Sequence, residues 1–294
     1  MSERINVLKT YKIFIGGKFP RTESGRYYQP KVNGSPIGNI CLSSRKDVRN
    51  AVVAARSAFE KWSGATAFNR SQILYRIAEM IEGRKAQFIE ELIIQGETKK
   101  TAEKEVNTTI DRVIYFAGWA DKINQVFGSV NPVATSHFNF SMLEPTGVVG
   151  VVSSESSSLL GLISSICPII VSGNTCVVFT SESKPLCGVT LSEVLATSDV
   201  PGGVVNVLTG KRKETVPHIG KHMDVNAVYL ADSDSEFKEP LRLDAVDNLK
   251  RIVVGKESDL YSKEVENPYI VTSFMETKTT WHPIEIISGS GSGY

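Results

Sequence analysis

Four short runs between Val148 and Leu230 are almost wholly apolar: Val148 to Val152, Thr175 to Phe179, Val204 to Leu208 and Ala227 to Leu230. A strand with one wet face alternates apolar and polar residues, so a strand that is apolar at nearly every position must be covered on both faces. Between the runs the spacing predicts helices over Leu159 to Val171, Val189 to Ala196 and Val216 to His222. Strands alternating with helices in this way specify a parallel sheet with helices on both sides.

The chain ahead of this sheet reads differently. Tyr11 to Lys18 predicts an edge strand and turn, and Gly25 and Gly34 mark a polar hairpin. Asp47 is the expected N-cap of a helix in which Val48, Ala51, Val52, Ala55, Phe59 and Trp62 recur at three- and four-residue steps. Further helices are expected from about Asn69, from about Ala86, and over Ala102 to Lys122, so most of the first 125 residues form a helical shell. Beyond the sheet, Tyr269 to Ile287 is rich in Thr, Val, Ile, Phe and Trp and predicts one long or two short strands. The Gly/Ser segment Ser288 to Tyr294 is expected to be a flexible tail.

Composition narrows the function classes. Of 294 residues, 41% are hydrophobic and 22% charged, and 33 Lys and Arg against 32 Asp and Glu give a formal charge of +1. A near-neutral chain offers no electrostatic case for nucleic acid or an anionic membrane as partner. Lys211-Arg212-Lys213 is a short basic run, read as solvated surface. The longest apolar window, Leu159 to Val171, is too short to span a bilayer. Cys41, Cys167, Cys176 and Cys187 have no C-x-x-C spacing, which favours structural thiols in a reducing, cytoplasmic compartment over disulfides or metal. His218 and His222 stand four apart but lack a third ligand, so no metal site is expected.

Several motifs resemble one enzyme family. They are Glu144-Pro145-Thr146-Gly147-Val148-Val149-Gly150, Gly173-Asn174-Thr175, and Pro201-Gly202-Gly203-Val204-Val205-Asn206-Val207-Leu208-Thr209-Gly210. Their order and separations resemble the cofactor-binding half of NAD(P)-dependent aldehyde dehydrogenases. Tyr115 to Ala120, Asn248 to Ile252 and Phe274 to Trp281 are similar to other segments of that family. The match covers about residues 11 to 254 and 269 to 285, with only about 15 residues joining the two blocks, where the family carries a catalytic domain. The likeness extends to the truncated C-terminal, non-catalytic domain of family-16 aldehyde dehydrogenases.

The resemblance implies an α/β fold: an aldehyde-dehydrogenase-like, Rossmann-type parallel sheet with a helical N-terminal shell, a small β oligomerisation flap, and a catalytic domain missing or reduced to a stub near 232 to 268. It divides the chain into a helical part at 11–135, a sheet half at 143–254, a flap from 136–142 plus 269–287, and the tail at 288–294. It also shows where working residues differ. The family nucleophile is a cysteine, and none follows Cys187; Cys176 lies in an apolar run, where burial makes a thiol inert. The family's oxyanion Asn falls on Ser156, in a loop Ser153 to Ser158 that is expected to cap the following helix. The adenosine-ribose motif reads Phe179-Thr180-Ser181-Glu182, and the phosphate-facing Gly-Ser falls on Ala231-Asp232.

An Asp at that turn occupies the donors and repels a pyrophosphate. Losing one charge contact and adding one like charge, at about 1–3 kcal/mol each, turns micromolar cofactor binding into roughly millimolar. Ser153, Glu182, Gly210 and Asp232 are therefore read as a vestigial pocket, with no NAD(P) or other cofactor expected. The general-base Glu has no counterpart beyond Glu257. The expected function is a non-catalytic, pseudoenzyme domain of assembly. Its partner is another copy or a catalytic aldehyde dehydrogenase domain, paired through strand 269–287 with His137 to Met142 as the matching strand. The alternatives are a dinucleotide sensor without chemistry and an oxidoreductase whose catalytic domain another chain or another half of the polypeptide supplies. For the terminal strand itself, folding back on its own hairpin stays open.

Overall fold

The computed structural model describes residues 7–233, 235–255 and 259–284. Five short strands come first: β1 (Thr10–Tyr11), β2 (Tyr27–Tyr28), β3 (Lys31–Val32), β4 (Ser35–Pro36) and β5 (Asn39–Cys41). The expected edge strand at Tyr11 to Lys18 shrinks to β1 and one bridge, Phe14 to Val207, because β1 pairs parallel with β5 and not along the main sheet. Four long helices follow: α1 (Arg45–Ser63), α2 (Ala67–Gly83), α3 (Lys85–Ile94) and α4 (Lys99–Ala117), then the short α5 (Ile123–Phe127). Asp47 is not the N-cap of α1. Ser44 is, and its hydroxyl accepts from the Asp47 amide while the Asp47 carboxylate accepts from the Ser44 amide, a reciprocal capping box.

Strands β6 (Ser129–Asn131) and β7 (His137–Pro145) lead into the main sheet, β8 (Val148–Val152), α6 (Leu160–Val171), β9 (Thr175–Phe179), α7 (Leu186–Ala196), β10 (Val205–Leu208), α8 (Arg212–Lys221) and β11 (Ala227–Leu230). The chain continues through α9 (Lys238–Asp244), β12 (Arg251–Val254), α10 (Tyr269–Thr272) and β13 (Met275–Pro283). The sheet order is β10-β9-β8-β11-β12 and every pair is parallel. Every residue of β8, β9 and β10 is buried, as their unbroken apolar character requires.

Two cores flank the sheet. One gathers residues of α2, α3, α4, α6 and α7, among them Phe88, Phe116 and Ile166, together with Trp62 from the end of α1, and the other gathers further residues of α1 and those of α8, among them Val52, Val216 and Ile219. Buried polar side chains pin the loops: the Trp62 indole donates to Ile170 O at 3.0 Å, and Asn174 accepts from the Gly147 amide at 2.7 Å and donates to Phe274 O at 2.8 Å. Gly147 has φ of +138°, and a Cβ there would stand 2.1 Å from Asn226 Oδ1, so this turn admits only glycine.

Residues 269–272 form a helical turn, not the start of a strand; the strand begins at Met275 and pairs antiparallel with β7 along nine positions, Met275 with Pro145 through to Pro283 with His137. The terminal strand thus does fold back on its own chain. β6 extends this sheet to three strands in the order β13-β7-β6, and among the described residues the outer edge of β13 has no partner. The expected tail at 288–294, Glu285 to Ile287 and Glu257 lie outside the described residues. No helix among the described residues is long and apolar enough to cross a membrane.

Candidate functional site

The strand order reverses between β8 and β11, so the loops after them leave in opposite directions and a crevice opens at the carboxyl ends, the usual ligand position in open parallel sheets. Four loops meet there: 153–159 after β8, 180–185 after β9, 209–211 after β10 and 231–237 after β11. They bound two clefts. One, of about 610 Å³, is lined by Glu155, Glu182, Glu214, Asp232 and Glu236 against Lys211, Arg212 and Lys213. The other, of about 490 Å³, has a hydroxyl-rich wall that includes Ser154, Ser156, Ser164 and Ser165, with Asp232 shared between the two.

Arg212 organises the first cleft. It is only 7% exposed and sits at the first turn of α8, so the basic run at 211–213 is not simply solvated surface. Its guanidinium donates to Ser153 O at 2.7 Å and to Thr180 O at 3.1 Å, and it pairs with Glu155 at 3.2 Å. Burial lowers its pKa, while Glu155, Asp232 and Glu182 hold its charge in place. Lys211 and Lys213 are paired too, with Glu182 and Glu236 at 3.1 Å each.

Glu155 turns toward the 181–183 turn. Its carboxylate accepts from the amides of Glu182 (3.0 Å) and Ser183 (2.9 Å) and from the hydroxyls of Ser181 and Ser183. Burial alone would raise its pKa, but the Ser183 hydroxyl, those two amides and Arg212 hold it below the ordinary carboxylate range. Glu182 in turn accepts the Arg212 amide at 2.6 Å, at the N-terminal end of α8, and Asp232 accepts the Glu155 amide at 3.0 Å. The amides that a helix start or tight turn would offer to a phosphate are here filled by the chain's own carboxylates.

The five residues singled out from sequence separate in space. Glu182 and Asp232 line the charged cleft and Ser156 the serine-rich one, where its hydroxyl meets that of Ser154 at 3.0 Å. Ser153 is 1% exposed and its hydroxyl donates to Phe179 O, tying β8 to β9. Gly210 lies against the backbone of Ser43 and serves packing. The loop 153–158 caps α6 only in part: Ser157 takes the Gly161 amide, while Leu159 and Leu160 donate to buried Glu105, reaching in from α4. Glu105 and Arg112, which the sequence did not single out, lie on the buried face of α4 with Val106, Thr109 and Val113. Arg112, 1% exposed, donates to Ser164 and to Leu260 O and faces Glu266 at 3.7 Å, fastening the segment that walls the serine-rich cleft.

All four cysteines are free and buried. Burial raises the thiols of Cys167, Cys176 and Cys187 well above the usual range, the first to about 12, so none of these three is poised as a thiolate. No cluster of metal-ligating side chains occurs among the described residues.

A sequence profile of the aldehyde dehydrogenase family matches residues 19–257. The chain belongs to the aldehyde dehydrogenase family. It is 31% identical over 262 residues to an aldehyde dehydrogenase of Aspergillus niger, covering 86% of this chain and 52% of that protein. It is 32% identical over 228 residues to the D-glyceraldehyde dehydrogenase (NADP(+)) of Thermoplasma acidophilum, covering 76% and 45%. An NAD-dependent aldehyde dehydrogenase from Sinorhizobium meliloti superposes with a TM-score of 0.78 at 25% identity, over 84% of this chain and 50% of that one. The chain therefore spans about half the length of these relatives. A dinucleotide does not fit its residues: at the phosphate-facing turn a pyrophosphate would meet Asp232, which already holds the Glu155 amide, with the Glu155 carboxylate, itself holding the Glu182 amide, in the same cleft.

Proposed function

We propose that this aldehyde dehydrogenase relative acts without catalysis, as a pseudoenzyme domain that assembles with another copy or with a catalytic aldehyde dehydrogenase domain. The observation that carries the reading is the closed network at the strand ends, in which Glu155 and Asp232 take the amides and Arg212 supplies the cation. A site kept for a dinucleotide leaves such donors free; here they stabilise the apo fold instead. The buried thiols of Cys167, Cys176 and Cys187 offer no nucleophile to an aldehyde. The open edge of β13, with eight of its nine residues exposed, supports strand addition as the mode of assembly. A cytoplasmic location agrees with four free, buried cysteines.

The relatives' greater length favours a second reading, an oxidoreductase whose catalytic domain comes from another chain or another part of a longer polypeptide. One pair of measurements separates the two. Light scattering should give a mass above that of the single chain, and aldehyde with NAD(P)+ should yield no reduced cofactor above a protein-free blank, with or without an added catalytic domain. Cofactor reduction that needs this chain contradicts the first reading and establishes the second.

A further inference from the structure

The other end of α8 carries a cluster that takes no part in either cleft. Arg45 and Arg49 stand one turn apart at the start of α1, and His218, Lys221 and His222 lie within the last turn of α8 and its cap. With Val48 and Pro217 they line a cleft of about 450 Å³, and no carboxylate is among its lining residues. Three neighbouring cations on α1 and α8 have counter-ions: Lys46 has Glu23 at 2.7 Å, Arg56 has Asp224 at 2.7 Å, Lys213 has Glu236 at 3.1 Å. Arg45, Arg49 and Lys221 make no ion pair or side-chain hydrogen bond with any described residue.

The carbonyls at the C-terminal end of α8, which would ordinarily attract these cations, are already taken. Lys250 Nζ donates to Gly220 O and to His222 O. The histidines register the excess charge. Burial, then Arg45 and Lys221, lower the pKa of His218. Burial also lowers that of His222; Asp224 opposes it, and Lys250 and Arg49 add to it. Asp224 is engaged by Arg56, while Asp244, packed against Gly220, and Asp247 offset the charge of Lys250 on the far side of the cap.

We propose that the cleft between α1 and α8 binds a phosphate ester, held by the Arg45 and Arg49 guanidinium groups, with Lys221 as a point charge and the histidines as proton-linked donors. Two guanidinium groups match phosphate oxygens through paired N–H donors. The apolar floor of Val48 and Pro217 suits the carbon side of an ester. An arriving dianion relieves the repulsion among the three cations and draws a proton onto each neutral histidine, so binding tightens as pH falls through the histidine range. The phosphate belongs either to a free small molecule or to a lipid headgroup; the chemistry is the same.

The test uses inorganic pyrophosphate with the full chain, followed by calorimetry and by histidine ring signals in NMR. Saturable binding is expected, with upward pKa shifts of His218 and His222 on saturation and tighter binding at about pH 6 than at about pH 8. The R45A/R49A double variant should weaken binding by about tenfold or more, while K213A, in the other cleft, changes nothing. Both arginines are exposed and unpaired among the described residues, so an unchanged circular-dichroism melt verifies the fold. In a second arm, vesicles of phosphatidylcholine with phosphatidic acid distinguish the source. Pyrophosphate binding without vesicle binding assigns a free ester, and vesicle binding competed by pyrophosphate assigns a headgroup. No binding at millimolar pyrophosphate, or binding that leaves both histidines unmoved or survives R45A/R49A, overturns the proposal.

Discussion

Replacing Arg212 by Ala perturbs the group on which the closed cleft depends, and its cost follows from the contacts it loses. The guanidinium holds two carbonyl oxygens, Ser153 O and Thr180 O, in residues only 1% and 3% exposed. Leaving each buried oxygen without its donor costs about 1–2 kcal/mol. The Glu155 side chain remains 42% exposed, so the lost ion pair adds at most about 1 kcal/mol after solvent screening. The sum is about 2–5 kcal/mol of unfolding free energy. R212K keeps a positive charge but not the fork that spans both carbonyls, and should lose about half as much. Urea unfolding followed by tryptophan fluorescence and by circular dichroism reads both variants against the parent, with the slope against urea unchanged. An R212A loss below about 1 kcal/mol, or an R212K loss equal to that of R212A, would refute the assignment of Arg212 as the organiser of the loops.

The remaining predictions follow from single groups. Glu155 is held below its ordinary pKa, so its contribution is present above about pH 4.3 and is lost as pH falls through its lower folded value; E155Q should flatten the acid limb of stability against pH. Glu91, buried on α3 with its pKa raised to about 7, has the opposite sign: stability falls as pH rises from about 4.3 to about 7, and E91Q should gain on the order of 2 kcal/mol at pH 8, read by urea unfolding. E105A strips Leu159 and Leu160 of their acceptor and Ser157 of its partner, and should cost about 3 kcal/mol with the largest loss of amide-exchange protection at the start of α6. G147A forces a side chain against Asn226 at a positive φ and should lower the melting temperature markedly, by roughly 5 °C or more.

The sheet was legible because its strands are apolar at nearly every position. Val148–Val152, Thr175–Phe179 and Ala227–Leu230 have the ends that the apolar runs predict, since solvent-facing alternation nowhere blurs them. The fifth strand, Arg251–Val254, is only half-buried at the sheet edge and lacks that signature. Thr and aromatic content read 269–272 as strand, but Pro268 at the start of that segment opens a helical turn. At the site, the acids at 155, 182 and 232 were visible, and their isolation in separate loops concealed that they share one cation. Three carboxylates in loops of one sheet edge need a counter-charge, and Arg212, opening the helix after β10, is the residue so placed. Glu105 and Arg112 act across more than 50 and about 150 residues of chain, a distance over which periodicity carries no signal.

Calorimetric titration of NAD+ and of NADP+ into the purified chain tests the central claim most directly. With Glu155, Glu182 and Asp232 holding the amides at the strand ends, neither dinucleotide should give measurable heat of binding below about millimolar concentration. A saturable isotherm with micromolar affinity for either one would contradict the account.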